Sequence, residues 1–129
     1  MKDIFRHGDQ KEYRRTVGAE DVAAFHGETV HPVCATFILA RDIEWTTRQF
    51  VLEMRDDDEE GVGTFLSIEH RGPAFVGEEI IFTARIDRLK DNELVCSYVA
   101  FANGRLIAEG RTGQKILKKE KIDRVFKQG

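Results

Sequence analysis

One long run of helical periodicity, followed by little but strands, restricts this chain to few folds. From about Val33 to Met54, apolar side chains recur at Val33, Phe37, Ala40, Ile43, Thr47 and Val51, spacings that lie along one face of a helix. Ile38, Leu39, Trp45 and Phe50 widen that stripe, so the helix is expected to be covered on several sides by a sheet. Asp56 to Gly63 supplies its exit, first through charges expected to stay solvated and then through Gly61 and Gly63, which tolerate unusual backbone angles.

Beyond the exit, Thr64 to His70, Glu78 to Arg88, Glu93 to Ala102 and Arg105 to Leu117 read as strands, with alternation clearest at Ile80, Phe82, Ala84 and Ile86. Asn103-Gly104 is the signature of a two-residue type I′ turn, Lys90-Asp91-Asn92 reads as a short hairpin loop, and Gly72-Pro73 marks a longer link. Ahead of the helix, Glu12 to Val17 reads as a strand. Ala19-Glu20-Asp21 is expected to open a helical turn through Val22, Ala23, Ala24 and Phe25, ending at His26-Gly27-Glu28.

An α+β domain results, an antiparallel sheet curled around one central helix, which is the hotdog architecture. With 129 residues, a single domain spanning 1–129 can hold its own core. Its open sheet edges and incompletely covered helix predict a homodimer, or a higher assembly built from one.

Charge and cysteine content narrow the function classes. A net charge of −3 argues against nucleic acid held by a broad basic surface. No apolar run is long enough to cross a bilayer, and the opening MKDIFRHGDQKEYRR lacks a signal-peptide segment, so cytoplasmic residence is expected. Cys34 and Cys96 form no CxxC pair and read as small core residues, while His7, His26, His31 and His70 show no metal-ligand spacing. Neither a metal nor a cofactor is implied. The acidic run at 56–60 and the basic segment 115–129, with Lys115, Lys118, Lys119, Lys121, Arg124 and Lys127, read as solvated surface. The basic segment also suits a phosphorylated ligand.

Three side chains stand out as candidates for chemistry. Glu44 places a carboxylate among Phe37, Ile38, Ile43 and Trp45, where it must be solvated, paired, neutralised or used. Thr36 opens the helix and His70 closes the following strand. Each has a plain alternative: Thr36 as a helix-start residue bonding backbone, Glu44 facing solvent or pairing with Arg41 or Arg48, and His70 as a surface residue between an ion-paired Glu69 and Arg71. Asp42 and Arg41 read as solvated. Eight residues separate Thr36 from Glu44, about 12 Å along a helix axis, so the two could meet only through a ligand or across a dimer interface.

Ala35-Thr36, Glu44-Trp45 after an eight-residue interval, Gly63-Thr64 and His70 together resemble the hotdog thioesterases related to fluoroacetyl-CoA thioesterase, over about Val33 to Leu117. The resemblance implies an acyl-CoA thioesterase in which Thr36, Glu44 and His70 match the catalytic threonine, glutamate and histidine and Gly63 matches a glycine of the thioester pocket. Where the fluoroacetyl-specific enzyme gates its pocket with phenylalanine, this chain has Val30, so the activity class carries over and the acyl group does not. Phe75, in the loop after His70, is a further pocket candidate, whereas Phe65, Phe82 and Phe101 read as core or interface packing.

Thioester hydrolysis suits these residue types. The carbonyl becomes a tetrahedral oxyanion, so the site needs a base or nucleophile, hydrogen-bond donors and an acid for the thiolate. A glutamate partly desolvated by an apolar helix would attack directly or activate water, and an imidazole can protonate the leaving group. Two other classes remain. Gly27-Glu28-Thr29-Val30-His31-Pro32 distantly resembles the loop of hotdog enoyl-CoA hydratases and dehydratases, and a non-catalytic acyl-CoA-binding module would keep the pocket without the chemistry.

Overall fold

Antiparallel pairing organises most of the chain. The computed structural model describes residues 1–25 and 28–128. Its strands are β1 (Gln10–Thr16), β2 (Val22–Phe25), β3 (Glu28–Cys34), β4 (Glu59–Leu66), β5 (Glu69–His70), β6 (Glu79–Lys90), β7 (Glu93–Ala102) and β8 (Arg105–Lys118); its helices are α1 (Thr36–Met54) and α2 (Lys119–Gln128). One sheet runs β1-β6-β7-β8-β4 with β5 also on β8, and β2 pairs with β3 in a separate two-stranded sheet. The α+β hotdog arrangement expected from the sequence is present, with α1 laid into the curled sheet.

Sequence periodicity explains the packing. On β6, Ile80, Phe82, Ala84 and Ile86 alternate inward, and they meet Leu39, Ile43, Phe50 and Val51 of α1 in one core with Leu94, Cys96, Ala100 and Ile107. Each such large side chain contributes roughly 1.5–3 kcal/mol on leaving water. Cys34 and Cys96 are buried free thiols, as expected. Asn103 and Gly104 both take positive φ, 48° and 74°, as a type I′ turn requires.

Four expectations need correction. Only Ala19–Asp21 is helical, as one 3-10 turn, and Val22–Phe25 is strand β2, paired with β3. Four residues cannot repay the cost of starting a helix, whereas a neighbouring strand satisfies their backbone at once. The proposed end at His26-Gly27 falls outside the described residues. Glu59 is buried where the helix exit was expected to be solvated; it accepts the Asp56 N–H at 2.8 Å and lies 2.7 Å from the terminal amine. The basic segment 115–129, expected as solvated surface with no helix assigned, is mostly exposed but has regular structure. After β8 it forms α2, docked at its start by Lys119 N–H donating to the Asp58 carbonyl at 2.8 Å.

The fourth correction concerns the buried carboxylate of α1, which is Asp42 at 2% exposure and not Glu44. Two residues along a helix are about 200° apart around its axis, so the two acids face opposite environments. Asp42 shares the inward side with Ile38, Leu39 and Thr46, and there the Arg15 guanidinium reaches it, Nε to Oδ2 at 2.6 Å, while the same group lies 2.5 Å from Asp21. This cluster ties β1, the 3-10 turn and α1 together. Burial disfavours the Asp21 carboxylate, but the Arg15 hydrogen bond, the Gly18 amide and the nearby Arg15 and Arg41 charges hold it below the usual range.

Candidate active site

The opposite face of α1, marked by Phe37, Arg41, Glu44, Trp45 and Arg48, is turned away from the core. Phe37 is 57% exposed and Trp45 44%, so the apolar stripe inferred from spacing runs partly on the wrong side of the helix. Between this face and strands β4 and β8 lies a groove of about 580 Å³, reached by Glu44, Trp45, Gly63, Phe65, Thr112 and Gln114. Glu44 and Gly63 therefore share one cavity. A Cβ at Gly63 would meet nothing within 4 Å, so glycine there leaves open space in the groove.

Glu44 is exposed in the single chain, not partly desolvated as expected. Its carboxylate has no hydrogen-bond or ion-pair partner among the described residues. Arg41 instead contacts Asp42 at 3.4 Å, and Arg48 pairs with Glu60 at 3.0 Å. Glu60 also takes the Gly61 N–H at 2.9 Å and Arg55 at 2.8 Å. The Arg48 bond holds the Glu60 carboxyl below its usual range against its partial burial, with Gly61 and Arg55 assisting.

Thr36 and His70 come together elsewhere. Ala35 caps α1 with no side-chain hydrogen bond, and Thr36 occupies the first helical position, where its hydroxyl lies 2.9 Å from His70 Nδ1. β5 places the imidazole by pairing His70 with Ala108. Glu69 and Arg71 pair with each other, as the plain reading of this segment expected, and Arg71 also reaches Glu109 at 3.1 Å. His70 is left for Thr36, and its Nε2 has no protein partner among the described residues. Neither Thr36 nor His70 lines the groove that holds Glu44. One chain thus presents two half-constellations.

The remaining candidates divide. Phe75 is 47% exposed, bridges Val33 through its backbone and stacks under the Arg105 guanidinium at 5.4 Å; it lies beside the segment leading into Thr36 and away from the groove. The side chain of Val30 lies outside the described residues. Phe82 is core, and Phe65, expected to be core or interface packing, is 46% exposed at the groove of the single chain. Gly113 makes room for that ring, because a Cβ there would stand 2.2 Å from it. Gln114 was missed altogether. Its amide donates to the Thr47 hydroxyl at 3.2 Å, which donates at 3.2 Å to the Glu44 carbonyl, and nothing in the local sequence distinguishes it from a strand residue.

The fold recurs among known proteins. The family model of the fluoroacetyl-CoA-specific thioesterase FlK matches residues 17–120, while no curated protein matches the sequence. Among solved structures, a thioesterase superfamily member from Thermus thermophilus superposes with a TM-score of 0.92 at 28% identity, covering 98% of this chain and 93% of that one. FlK itself gives 0.88 at 18% identity, covering 98% of each chain. A hot-dog-like protein from Thermanaerovibrio acidaminovorans gives 0.87 at 18%, covering 96% and 93%.

Proposed function

The chain belongs to the fluoroacetyl-CoA-specific thioesterase family, and from that premise we propose that it is an acyl-CoA thioesterase whose active site is completed by two copies of the chain. The observation carrying this reading is the split of the three candidates into a Thr36–His70 pair and a separate groove with a free Glu44. Eight residues along α1 keep Thr36 and Glu44 about 12 Å apart axially, so a second protomer supplies the missing half. Trp45 and Phe65, large and exposed at the groove, and Phe37, exposed on the same side of α1, support a homodimer, because apolar patches of this kind mark interaction surfaces. The open edge at β4 adds backbone groups that a partner strand can pair. Across such an interface Glu44 would lose water and gain basicity.

In the proposed reaction the thioester carbonyl lies between the two halves. Glu44 either attacks it or takes a proton from water that does, and the tetrahedral oxyanion is stabilised by hydrogen-bond donors, including the Thr36 hydroxyl and the first-turn N–H groups of α1. Collapse breaks the C–S bond, and His70 hands a proton to the departing CoA thiolate. On direct attack the collapse leaves an acyl–Glu44 anhydride, which a water molecule then opens, so by either route the products are CoA and a carboxylic acid. No helix among the described residues is long and apolar enough to cross a membrane.

A thiol-release screen over short, branched, aromatic and long acyl-CoAs tests the reading, with Glu44→Gln and His70→Ala beside the wild type. The expected result is turnover of at least one substrate, with Glu44→Gln slowed 100-fold or more. Wild-type rates in both variants would remove the site. Hydration of an enoyl-CoA without CoA release would favour a hydratase, and tight binding without turnover a binding module. In a single turnover in heavy-oxygen water, label on Glu44 marks direct attack with the anhydride opened at the glutamyl carbon, whereas water activation leaves Glu44 unlabelled and puts the label in the product acid.

A further inference from the structure

Two guanidinium groups stand one turn from Glu44 on the same helix, Arg41 three residues before it and Arg48 four after. Side chains at these spacings are neighbours, about 5–6 Å apart at Cβ, and an acid followed by a base four residues later is a favourable arrangement for pairing. Glu44 nevertheless pairs with neither, and both cations are engaged elsewhere. Arg48 is held firmly. Its partner Glu60 is itself fixed by Arg55 and by the Gly61 N–H, in the strand that floors the groove. Arg41 is held loosely, by an Asp42 whose other contacts are with Arg15. The other walls near Glu44, Gly63, Thr64 and Phe65 from β4 and Thr112, Gly113 and Gln114 from β8, bring no charge.

We propose that Glu60 is a positioning residue for Glu44: it captures Arg48 and so keeps the Glu44 carboxylate unpaired and turned toward the thioester. The inference rests on Glu44 being the reactive carboxylate. An arginine on Glu44 would stabilise its charged form, weaken it as a base or nucleophile and occupy groove space. Glu60 does not touch the substrate. It acts by removing a competitor.

The test is a cycle of four proteins: wild type, Glu60→Gln, Arg48→Met and the double variant, each checked for folding by circular dichroism. Glutamine keeps an acceptor for the Gly61 N–H but loses the charge that holds Arg48. In Glu60→Gln, the titration midpoint of the Glu44 side-chain carbon, followed by NMR, should fall by about one pH unit, and kcat/KM should fall roughly three- to tenfold, with the acid limb of the pH–rate profile moving to lower pH. In the Arg48→Met background the same change at Glu60 should move neither quantity. Equal effects in both backgrounds, or no effect in either, overturn the proposal. A purely structural role for Glu60 gives equal effects, because the Arg55 contact is weakened with or without Arg48. If the Glu44 midpoint moves as described while Glu44→Gln hydrolyses at the wild-type rate, the assignment of Glu44 to the chemistry fails and the capture of Arg48 stands.

Discussion

The hydroxyl of Thr36 lies 2.9 Å from Nδ1 of His70, joining the first turn of α1 to a two-residue strand 34 positions later in the chain. The contact holds the ring by Nδ1 and leaves Nε2 without a protein partner among the described residues. Thr36→Val keeps the shape of the side chain and removes the bond, so it should lower kcat by about 10- to 100-fold through a misplaced acid. Thr36→Ser should retain most of the rate. Both residues are exposed, so thermal unfolding should shift by no more than about 0.5 kcal/mol. Kinetics and calorimetry on the same samples check the split, and a Thr36→Val enzyme as active as Thr36→Ser would deny the bond any part in catalysis.

Arg15 between Asp21 and Asp42 gives the fold an acid-sensitive clasp. Asp21 is held below its ordinary carboxylate value when folded, so its contribution is complete above the unfolded value of about 3.9 and disappears as pH falls through the lower folded one. Arg15→Met strands two buried carboxylates and should cost about 3–5 kcal/mol at pH 7. The deficit against wild type should shrink below about pH 4 as Asp21 takes up its proton. Urea unfolding at a series of pH values measures it, and a deficit independent of pH would mean that packing by the arginine stem, not charge, explains the loss.

The two cysteines report on the same core. Burial pushes the Cys96 thiol up to about 12 and the Cys34 thiol up to about 11, and the thiolate is the reactive form. Neither should react with an aromatic disulfide reagent at pH 8 in the native protein, and both should react once it is unfolded. Rapid labelling of one cysteine under native conditions would show that its part of the core opens locally.

How much of this was legible depended on whether a property is local. Strand alternation at Ile80 to Ile86, the turn at Asn103-Gly104 and the end of α1 at Met54 are set by neighbours in sequence, and all are found, whereas Val33 and Cys34, expected in the helix, belong to β3. The side of α1 that faces the core is not local. Phe37 and Trp45 favour burial by composition, but Asp42 finds Arg15 from a strand 27 residues earlier, and that pairing fits the rotation that turns Glu44 outward. Thr36, Glu44, Gly63 and His70 were singled out as candidates through resemblance rather than chemistry, since each alone has a common structural explanation. Phe65, Gly113 and Gln114 enter the groove through the β4–β8 register, which breaks between Gly63 and Phe65. No single-strand pattern contains that shift.

Glycines separate the groove from its frame. At Gly63 a Cβ would enter open space, while at Gly110 it would stand 2.1 Å from the Ser67 carbonyl oxygen and 2.8 Å from the Tyr98 hydroxyl. That hydroxyl donates to the same Ser67 carbonyl at 2.7 Å, which pins the segment between β4 and β5 against the sheet and so helps aim His70. Backbone cannot move aside as a side-chain tip can. Gly110→Ala should therefore cost about 1–3 kcal/mol and lower activity together with stability. Gly63→Ala should leave the unfolding midpoint within about 0.5 kcal/mol of wild type and act on turnover alone, by placing a methyl group in the cavity shared with Glu44. The decisive measurement sets kcat/KM beside the denaturant midpoint for both variants. A stable Gly110→Ala, or a Gly63→Ala whose activity falls only as far as its stability does, would break the link drawn between these positions and the two halves of the site.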